Sequence, residues 1–315
     1  MEQNEKHEVI NQSNALTQSR YDFSKIEKNV IYHIIQKVRH DYIEGSMQRD
    51  LWENFYVTIN ASDLAKVAGE KHTKEARAAL RSLRLKDIEM EDKEGNWFNC
   101  GFINSSRYYA KTKTYEVEVS KLIMPHLVEL ASCFTSYSLT VAISLKSKYS
   151  QRFYEFCCQY RSKGSYFFDQ ARLRRLLKLE DEYKLNADFK RYVIEPAYKE
   201  LKEAYEAGQS DLYFEYSIEG RGQNICYKFK ILPGNREQRI DFEETKKKVD
   251  YIYRKALGVF RKDPKFCDRI LSGITFDPDK VQPVFDKLTK LEKDYSGADL
   301  AKILRYVLKE DFEIK

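Results

Sequence analysis

Histidine is scarce in this chain of 315 residues, and the five present (His7, His33, His40, His72 and His126) form no HxH or HExxH spacing. A metal-dependent nuclease or nicking enzyme holds its ion with clustered imidazoles, so that chemistry is not expected. The six cysteines suggest no metal site either: Cys157 and Cys158 are adjacent, and no CxxC or Cys/His cluster occurs. Scattered cysteines with no recognisable signal peptide point to a reducing cytoplasm. There is no GxxxxGKS/T phosphate loop and no glycine-rich dinucleotide turn after a strand, which argues against ATP hydrolysis and dinucleotide chemistry. No apolar run approaches the roughly 20 residues that a membrane span requires. These absences together describe a soluble cytoplasmic protein that is not an enzyme, holds no metal or cofactor and has no membrane partner.

What the chain does have is aromatic and charged. Hydrophobic residues make up 42%, with 23 Tyr and 18 Phe, enough to build proper cores. The net charge of +6 is mildly basic and by itself says little about nucleic acid. Its distribution says more: −2 over residues 1–60, +1 over 61–131, +4 over 139–235 and +3 over 236–315.

The pattern of periods and breaks divides the chain. Residues 1–20, rich in Asn, Gln and Ser, read as a flexible lead. Over 21–131 a long helix from Ser24 (Ile26, Val30, Ile34, Val38, Tyr42) precedes a short strand, Phe55 to Ile59, and two helices, "NASDLAKVAG" and "TKEARAALRSLR". An aromatic meander follows, with Trp97, Phe98, Phe102, Tyr108, Tyr109 and Tyr115 expected mainly as sheet core. Residues 132–138 read as a joint. Over 139–234 a long helix from Leu139 to Arg161 is followed by the strand "SYFF", the helix "DQARLRRLLKL", a longer helix from Asn186, and two strands joined by "EGRGQN". Helix, strand, helix, helix and β-hairpin is the order of a winged helix, and it occurs twice. The expected fold is therefore α+β, two tandem winged-helix domains followed by a C-terminal helical region over 235–315.

The sharpest functional pattern is the helix from Asn186. At about 100° per residue, Phe189, Val193, Ala197 and Leu201 share one face with Ile194 at its edge. Arg191, Tyr192, Glu195, Tyr198, Lys199 and Lys202 lie opposite. A recognition helix needs this division, since Arg reads guanine, Glu accepts from cytosine, and Lys or Tyr reaches phosphate. Arg172, Arg174 and Arg175 on the preceding helix suit flanking phosphates, and Arg221 at the hairpin tip suits an adjacent groove. Pro196 within the helix is expected to kink it or remove one backbone hydrogen bond. In the first unit Lys74, Arg77, Arg81 and Arg84 form a weaker version of the same stripe, with a solvent face or a partner surface as the other readings. Residue by residue, solvated faces of ordinary helices would look the same.

The stretch "SLKSKYSQRFYEFCCQY" adds a puzzle. Val141, Leu145, Tyr149, Phe153, Phe156 and Tyr160 form an apolar stripe, yet Arg152 falls near its middle and Lys146 and Lys148 precede it. An ordinary core helix whose arginine pairs with a carboxylate is one reading.

"LKSKYSQRFYEFCCQY", "ARLRRLLKLEDEYKLNADFKRYVIEPAYKEL" and "FEYSIEGRGQNICYKFKI" resemble the RepA/RepB-type, iteron-binding plasmid replication initiators, specifically over about 138–231 and more loosely over 21–130. The resemblance implies a first winged helix that dimerises and adds DNA contacts, and a second that reads directly repeated origin sequences in double-stranded DNA. It implies monomers that open the origin, a homodimer in equilibrium with them that represses the initiator's own gene, and the host initiator DnaA and replicative helicase as partners. It assigns base or phosphate contact to Lys190, Arg191, Tyr192, Glu195 and Lys199, although the wheel turns Lys190 toward the docked side. It lays the turn of Lys146, Ser147 and Lys148 on phosphates and makes Arg152 structural, paired with Glu155 or Glu200. A winged-helix repressor with no origin to open would use the same faces.

Overall fold

A computed structural model describes residues 9–314 except 44, 70–72, 92–94, 129–133, 223, 234–235 and 277–279. The chain opens with β1 (Val9–Ser13) and the short α1 (Asn14–Thr17), followed by the long α2 (Lys25–Ile43). Ser24 and Glu27 start α2 by exchanging hydrogen bonds: the Ser24 N–H donates to the Glu27 carboxylate at 2.7 Å and the Glu27 N–H to the Ser24 hydroxyl at 3.3 Å. Then come β2 (Gln48–Arg49), β3 (Phe55–Asn60), α3 (Ala61–Gly69), α4 (Thr73–Leu83), β4 (Asp87–Glu91), β5 (Trp97–Gly101), β6 (Ile103–Tyr109), β7 (Thr114–Val119), α5 (Met124–Val128) and β8 (Phe134–Ser138). The second unit comprises α6 (Leu139–Ser144), α7 (Lys148–Gln159), β9 (Ser165–Asp169), α8 (Gln170–Leu176), α9 (Asn186–Phe189), α10 (Glu195–Glu206), β10 (Leu212–Glu219) and β11 (Cys226–Pro233). It is followed by α11 (Arg236–Val259), α12 (Pro264–Phe276), α13 (Val281–Asp294) and α14 (Gly297–Glu310).

Two winged helices are present, and their sheets are wired alike. In the first, β3 pairs with β7 and β7 with β6; in the second, β9 pairs with β11 and β11 with β10, all antiparallel. The strand that precedes each helix pair thus lies beside the last strand of its wing. The alternation of β7, with Tyr115, Val117 and Val119 buried, shows why register is firm: a slip by one residue would turn these side chains to solvent. The hairpin β4–β5 is an insertion between α4 and the wing of the first unit.

The aromatic meander divides. Phe102 and Tyr115 are core and Phe98 is partly buried, whereas Trp97, Tyr108 and Tyr109 are exposed.

Three expectations need correction. Residues 9–20 of the supposed flexible lead are built into the fold, while 1–8 lie outside the described residues. Their polarity is internal: the Gln12 side-chain amide donates to the Thr17 hydroxyl at 3.0 Å, Thr17 donates to Thr135 at 2.9 Å, and the Tyr137 hydroxyl donates to the Gln12 side-chain oxygen at 2.9 Å. The joint at 132–138 holds a strand over its described part, because β8 pairs antiparallel with β1 from Val9↔Ser138 to Ser13↔Phe134. The single helix expected from Leu139 to Arg161 is broken at Leu145–Ser147, where Ser147 caps α7 by accepting the Tyr149 N–H at 3.1 Å.

The C-terminal helices form a core of their own, from Val249 on α11 through Ile270 and Leu288 to Leu304 on α14. α11 leaves the second winged helix, yet α12 lies against α2 and β1 of the first, and Phe134 packs into the module. Covalent connection to one winged helix and docking on the other make the module a bridge.

Candidate nucleic-acid interface

The second helix-turn-helix is held together by an arginine. Arg174 is 7% exposed, its guanidinium lies 4.5 Å over the Phe189 ring, and it donates to the carbonyls of Glu182 at 2.7 Å and Tyr183 at 2.6 Å. These bonds fix a turn in which Lys178 and Tyr183 take left-handed backbone angles (φ +55° and +49°), a conformation that non-glycine residues rarely adopt without support. Arg174 is therefore removed from the phosphate-contact set: it is buried and its donors are engaged by the turn.

After that turn the chain is helical from Asn186 to Glu206, with one π-turn over Lys190–Ile194. Pro196 has no N–H to give the Tyr192 carbonyl, so the normal ladder cannot continue. The Glu195 N–H instead reaches back five residues to the Lys190 carbonyl. Phe189, Val193, Ile194, Ala197 and Leu201 are all buried against the domain. Arg191 and Lys199 are exposed, and Tyr192 is 47% exposed. The Arg191 guanidinium sits 5.3 Å from the Tyr192 ring, which stacks on Tyr183 at 5.7 Å. This packing limits the freedom of both side chains before any ligand arrives.

Other residues of the expected face are less free. Tyr198 packs on Phe214 and Tyr216 of β10, at 6.0 and 5.8 Å between ring centres. Lys202 lies 5.8 Å over the Tyr198 ring and pairs with Glu206 at 3.8 Å. Lys190 pairs with Glu195 at 3.4 Å, so the wheel's placement of Lys190 on the docked side is wrong. The π-turn shifts the helical phase upstream of it.

The wing stands beside the helix start, with the Asn186 amide 3.5 Å from the Gly222 carbonyl. Arg221 is exposed at its tip. Gly220 makes the tip possible: at φ +86° a Cβ there would meet the Asn224 carbonyl oxygen at 1.9 Å.

Most of the other candidate cations of the second unit turn inward or sideways. The Arg172 guanidinium donates to the Gln18 side chain at 2.8 Å, and Arg175 pairs with Glu91 of β4 at 2.5 Å. Beside them Lys178 pairs with Asp87 at 3.0 Å. The first winged helix thus presents acidic β4 to α8. In the turn before α7, the Glu200 carboxylate accepts the backbone N–H groups of Lys146 and Ser147 and the Ser150 hydroxyl. Lys148 pairs with Asp22 at 2.6 Å. A carboxylate already occupies this helix start, so Ser147 and Lys148 are committed within the molecule; only the Lys146 side chain remains exposed.

Arg152 answers the puzzle of its helix. Ser150 through Cys158 are all buried, because α7 packs on α10 and β10 of its own unit and on α1, α2 and β8 of the first. Arg152 donates to the Thr17 carbonyl at 2.6 Å and the Tyr21 hydroxyl at 2.7 Å, and lies 3.2 Å from Glu155. Glu155 also binds Lys28 of α2 and accepts the Tyr32 hydroxyl at 2.8 Å. The carboxylate partner is Glu155 and not Glu200. Burial opposes charge on Glu155, but Lys28 and Arg152 outweigh it and hold the carboxyl below its ordinary range. Burial also brings Lys28 down to about 8, with Glu155 opposing that fall and Arg152 adding to it.

In the first unit α4 docks through Ala76, Ala79, Leu80 and Leu83 and exposes Lys74, Arg77, Arg81 and Arg84. The Arg77 guanidinium lies 5.3 Å over Tyr108 of the wing, which joins helix and wing in one surface. Three wing cations, Arg107, Lys111 and Lys113, are exposed on this hairpin and were not singled out from the sequence. Two lysines at a hairpin tip beside aromatic strands were the available signal.

Among the described residues no group of three or more His, Cys, Asp or Glu could hold a metal ion, and no helix is long and apolar enough to cross a membrane. Two winged helices, each with exposed cations on its third helix and wing, define a DNA-binding protein. Residues 9–158 match the family described as initiator replication protein, WH1, and residues 169–231 match initiator Rep protein, WH2; the chain belongs to this plasmid replication initiator family. It is also similar to an uncharacterized 27.6 kDa protein of Escherichia coli, 25% identical over 226 residues that span 68% of this chain and 91% of that protein. The helices from α11 onward lie beyond both family matches.

Proposed function

We propose that this initiator binds directly repeated origin sequences through the recognition helix and wing of its second winged helix. Arg191, Tyr192 and Lys199 carry the helix contacts, with Lys190 and Glu195 beside them and Arg221 at the wing. Lys74, Arg77, Arg81 and Arg84 add a second contact from the first winged helix. Monomers bound to the repeats open the origin and recruit host DnaA and the replicative helicase, while a homodimer represses the initiator's own gene. The C-terminal module serves as a stabilising or protein-binding unit. The observation that carries the reading is the division of one helix: Phe189, Val193, Ala197 and Leu201 buried, Arg191 and Lys199 exposed, in a chain of the initiator family.

The test is a footprint of the purified protein on DNA flanking its own gene, at fixed near-physiological salt with competitor DNA, because phosphate contacts alone weaken steeply with salt. Protection of evenly spaced direct repeats, lost in Arg191→Ala, is expected. Protection of one inverted repeat over the promoter alone would instead favour a repressor.

A further inference from the structure

The π-turn in the recognition helix has a consequence for what the helix reads. A π-turn holds one residue more than an α-turn, so everything upstream is rotated by about 100° relative to an unbroken helix. In an unbroken helix Lys190 would lie about 60° from Val193, on the docked side; the wide turn rotates it away from that side, toward the presented one. The molecule shows this shift: the Lys190 side chain is 42% exposed and pairs with Glu195, five residues on, across the widened turn. Phe189 tolerates either phase, since it lies about 40° from Val193 in an unbroken helix and stays within the docked half, fully buried, with the wide turn present. The core therefore does not choose between the two; the missing N–H of Pro196 does.

We propose that Pro196 is a positioning residue for base recognition, and that Lys190 and Glu195, brought together by the π-turn, read a single G·C pair. This rests on the origin-binding role of the second winged helix. In the major groove guanine presents the N7 and O6 acceptors and its partner cytosine the N4 amine donor. An ammonium and a carboxylate 3.4 Å apart offer the complementary donor and acceptor at one place. The pair is also pre-set: each charge already holds the other on the presented face. The helix start that carries Lys190 lies beside the wing, where the Asn186 amide is 3.5 Å from the Gly222 carbonyl.

The experiment selects duplexes from a random-sequence library with the full chain and with four variants, at one salt concentration, alongside thermal melts of each. Lys190→Ala and Glu195→Gln are expected to relax the same single G·C position, each losing about 10-fold of discrimination, and the double variant should lose no more than either. Pro196→Ala should relax that position too while keeping the position that depends on Arg191 and melting within a few degrees of the parent. A purely structural role for Pro196 would change melting or overall affinity and leave the selected sequence alone, which would overturn its assignment. If Lys190→Ala and Glu195→Gln relax different positions, or none, the single-pair reading is wrong even should Pro196→Ala fail to fold. A parent that selects no sequence at all would sink the origin-binding role, and this proposal with it.

Discussion

The second winged helix carries two cationic stretches that do opposite things. From Lys148 to Lys178 the charges are used inside the molecule: Lys148 on Asp22, Arg152 on Glu155, Arg174 on backbone carbonyls, Arg175 on Glu91 and Lys178 on Asp87. From Lys190 to Lys199 they lie on a face of the helix itself: Lys190 pairs with Glu195 of the same helix, and Arg191 and Lys199 are exposed with no carboxylate partner among the described residues. Composition does not separate the stretches; what lies across from each does. Where β4 or Asp22 supplies carboxylates, the cations join the two winged helices, and where the first winged helix supplies none they remain for phosphate and base. The first winged helix gives up three acids of one strand, Asp87, Glu89 and Glu91, to this purpose, since Glu89 binds Arg20, which reaches on to Glu180 at 2.7 Å.

The strongest way to break this contrast is at Glu155. Removing it strands two buried cations, so Glu155→Ala should cost about 3–5 kcal/mol of stability in a denaturant melt. Arg152→Ala should cost somewhat less, because Lys28 still balances Glu155; a parental melting temperature for Arg152→Ala would refute its structural role. The cluster also sets a pH signature. Glu155 adds stability that is complete above the ordinary carboxylate range and is lost as pH falls through its lowered value. Lys28 acts in the same sense at higher pH: from about 8 up to the ordinary lysine value of 10.5 the unfolded chain holds more protons, so stability from this group also rises with pH. Urea melts between pH 7 and 10 should show that rise in the parent and lose it in Lys28→Met.

Next in size comes Arg174→Ala. It releases the carbonyls that define the helix–helix turn and should cost about 3 kcal/mol, at the level of charged hydrogen bonds to buried groups. DNA binding would fall with the fraction folded and not before it, a dependence that simultaneous melting and binding curves would show. Arg191→Ala gives the opposite pattern: unchanged melting, and specific binding weaker by about 1–3 kcal/mol. If instead Arg174→Ala kept its stability and lost DNA binding, the division between inward and outward arginines would be wrong.

Much of this was legible in the chain itself. The two winged helices follow from the alternation of helical and strand periods, and the buried set Phe189, Val193, Ala197 and Leu201 from simple periodicity, because both are local. Polar Gln12 and Thr17 look disordered until Thr135 and Tyr137, over a hundred residues away, satisfy them. Arg172 and Arg175 look like phosphate ligands until Gln18 and Glu91 fold over them. Lys190 was misplaced for a different reason: a helical wheel assumes one phase throughout, and Pro196 breaks it.

The smallest expected effect is the most informative about the seam. Arg175 and Glu91 are 50% and 41% exposed, so their pairing contributes under about 1 kcal/mol, and Glu91→Gln should leave the melting temperature nearly unchanged. Its influence on DNA should be larger than its influence on folding. Without Glu91 the Arg175 guanidinium is available to a phosphate, which would add roughly one released counterion to the salt dependence. The check is the slope of log affinity against log salt for nonspecific duplex, expected to steepen by about one in Glu91→Gln. An unchanged slope would mean that Arg175 faces the first winged helix whether or not a carboxylate waits there, and that packing rather than charge holds α8 against β4.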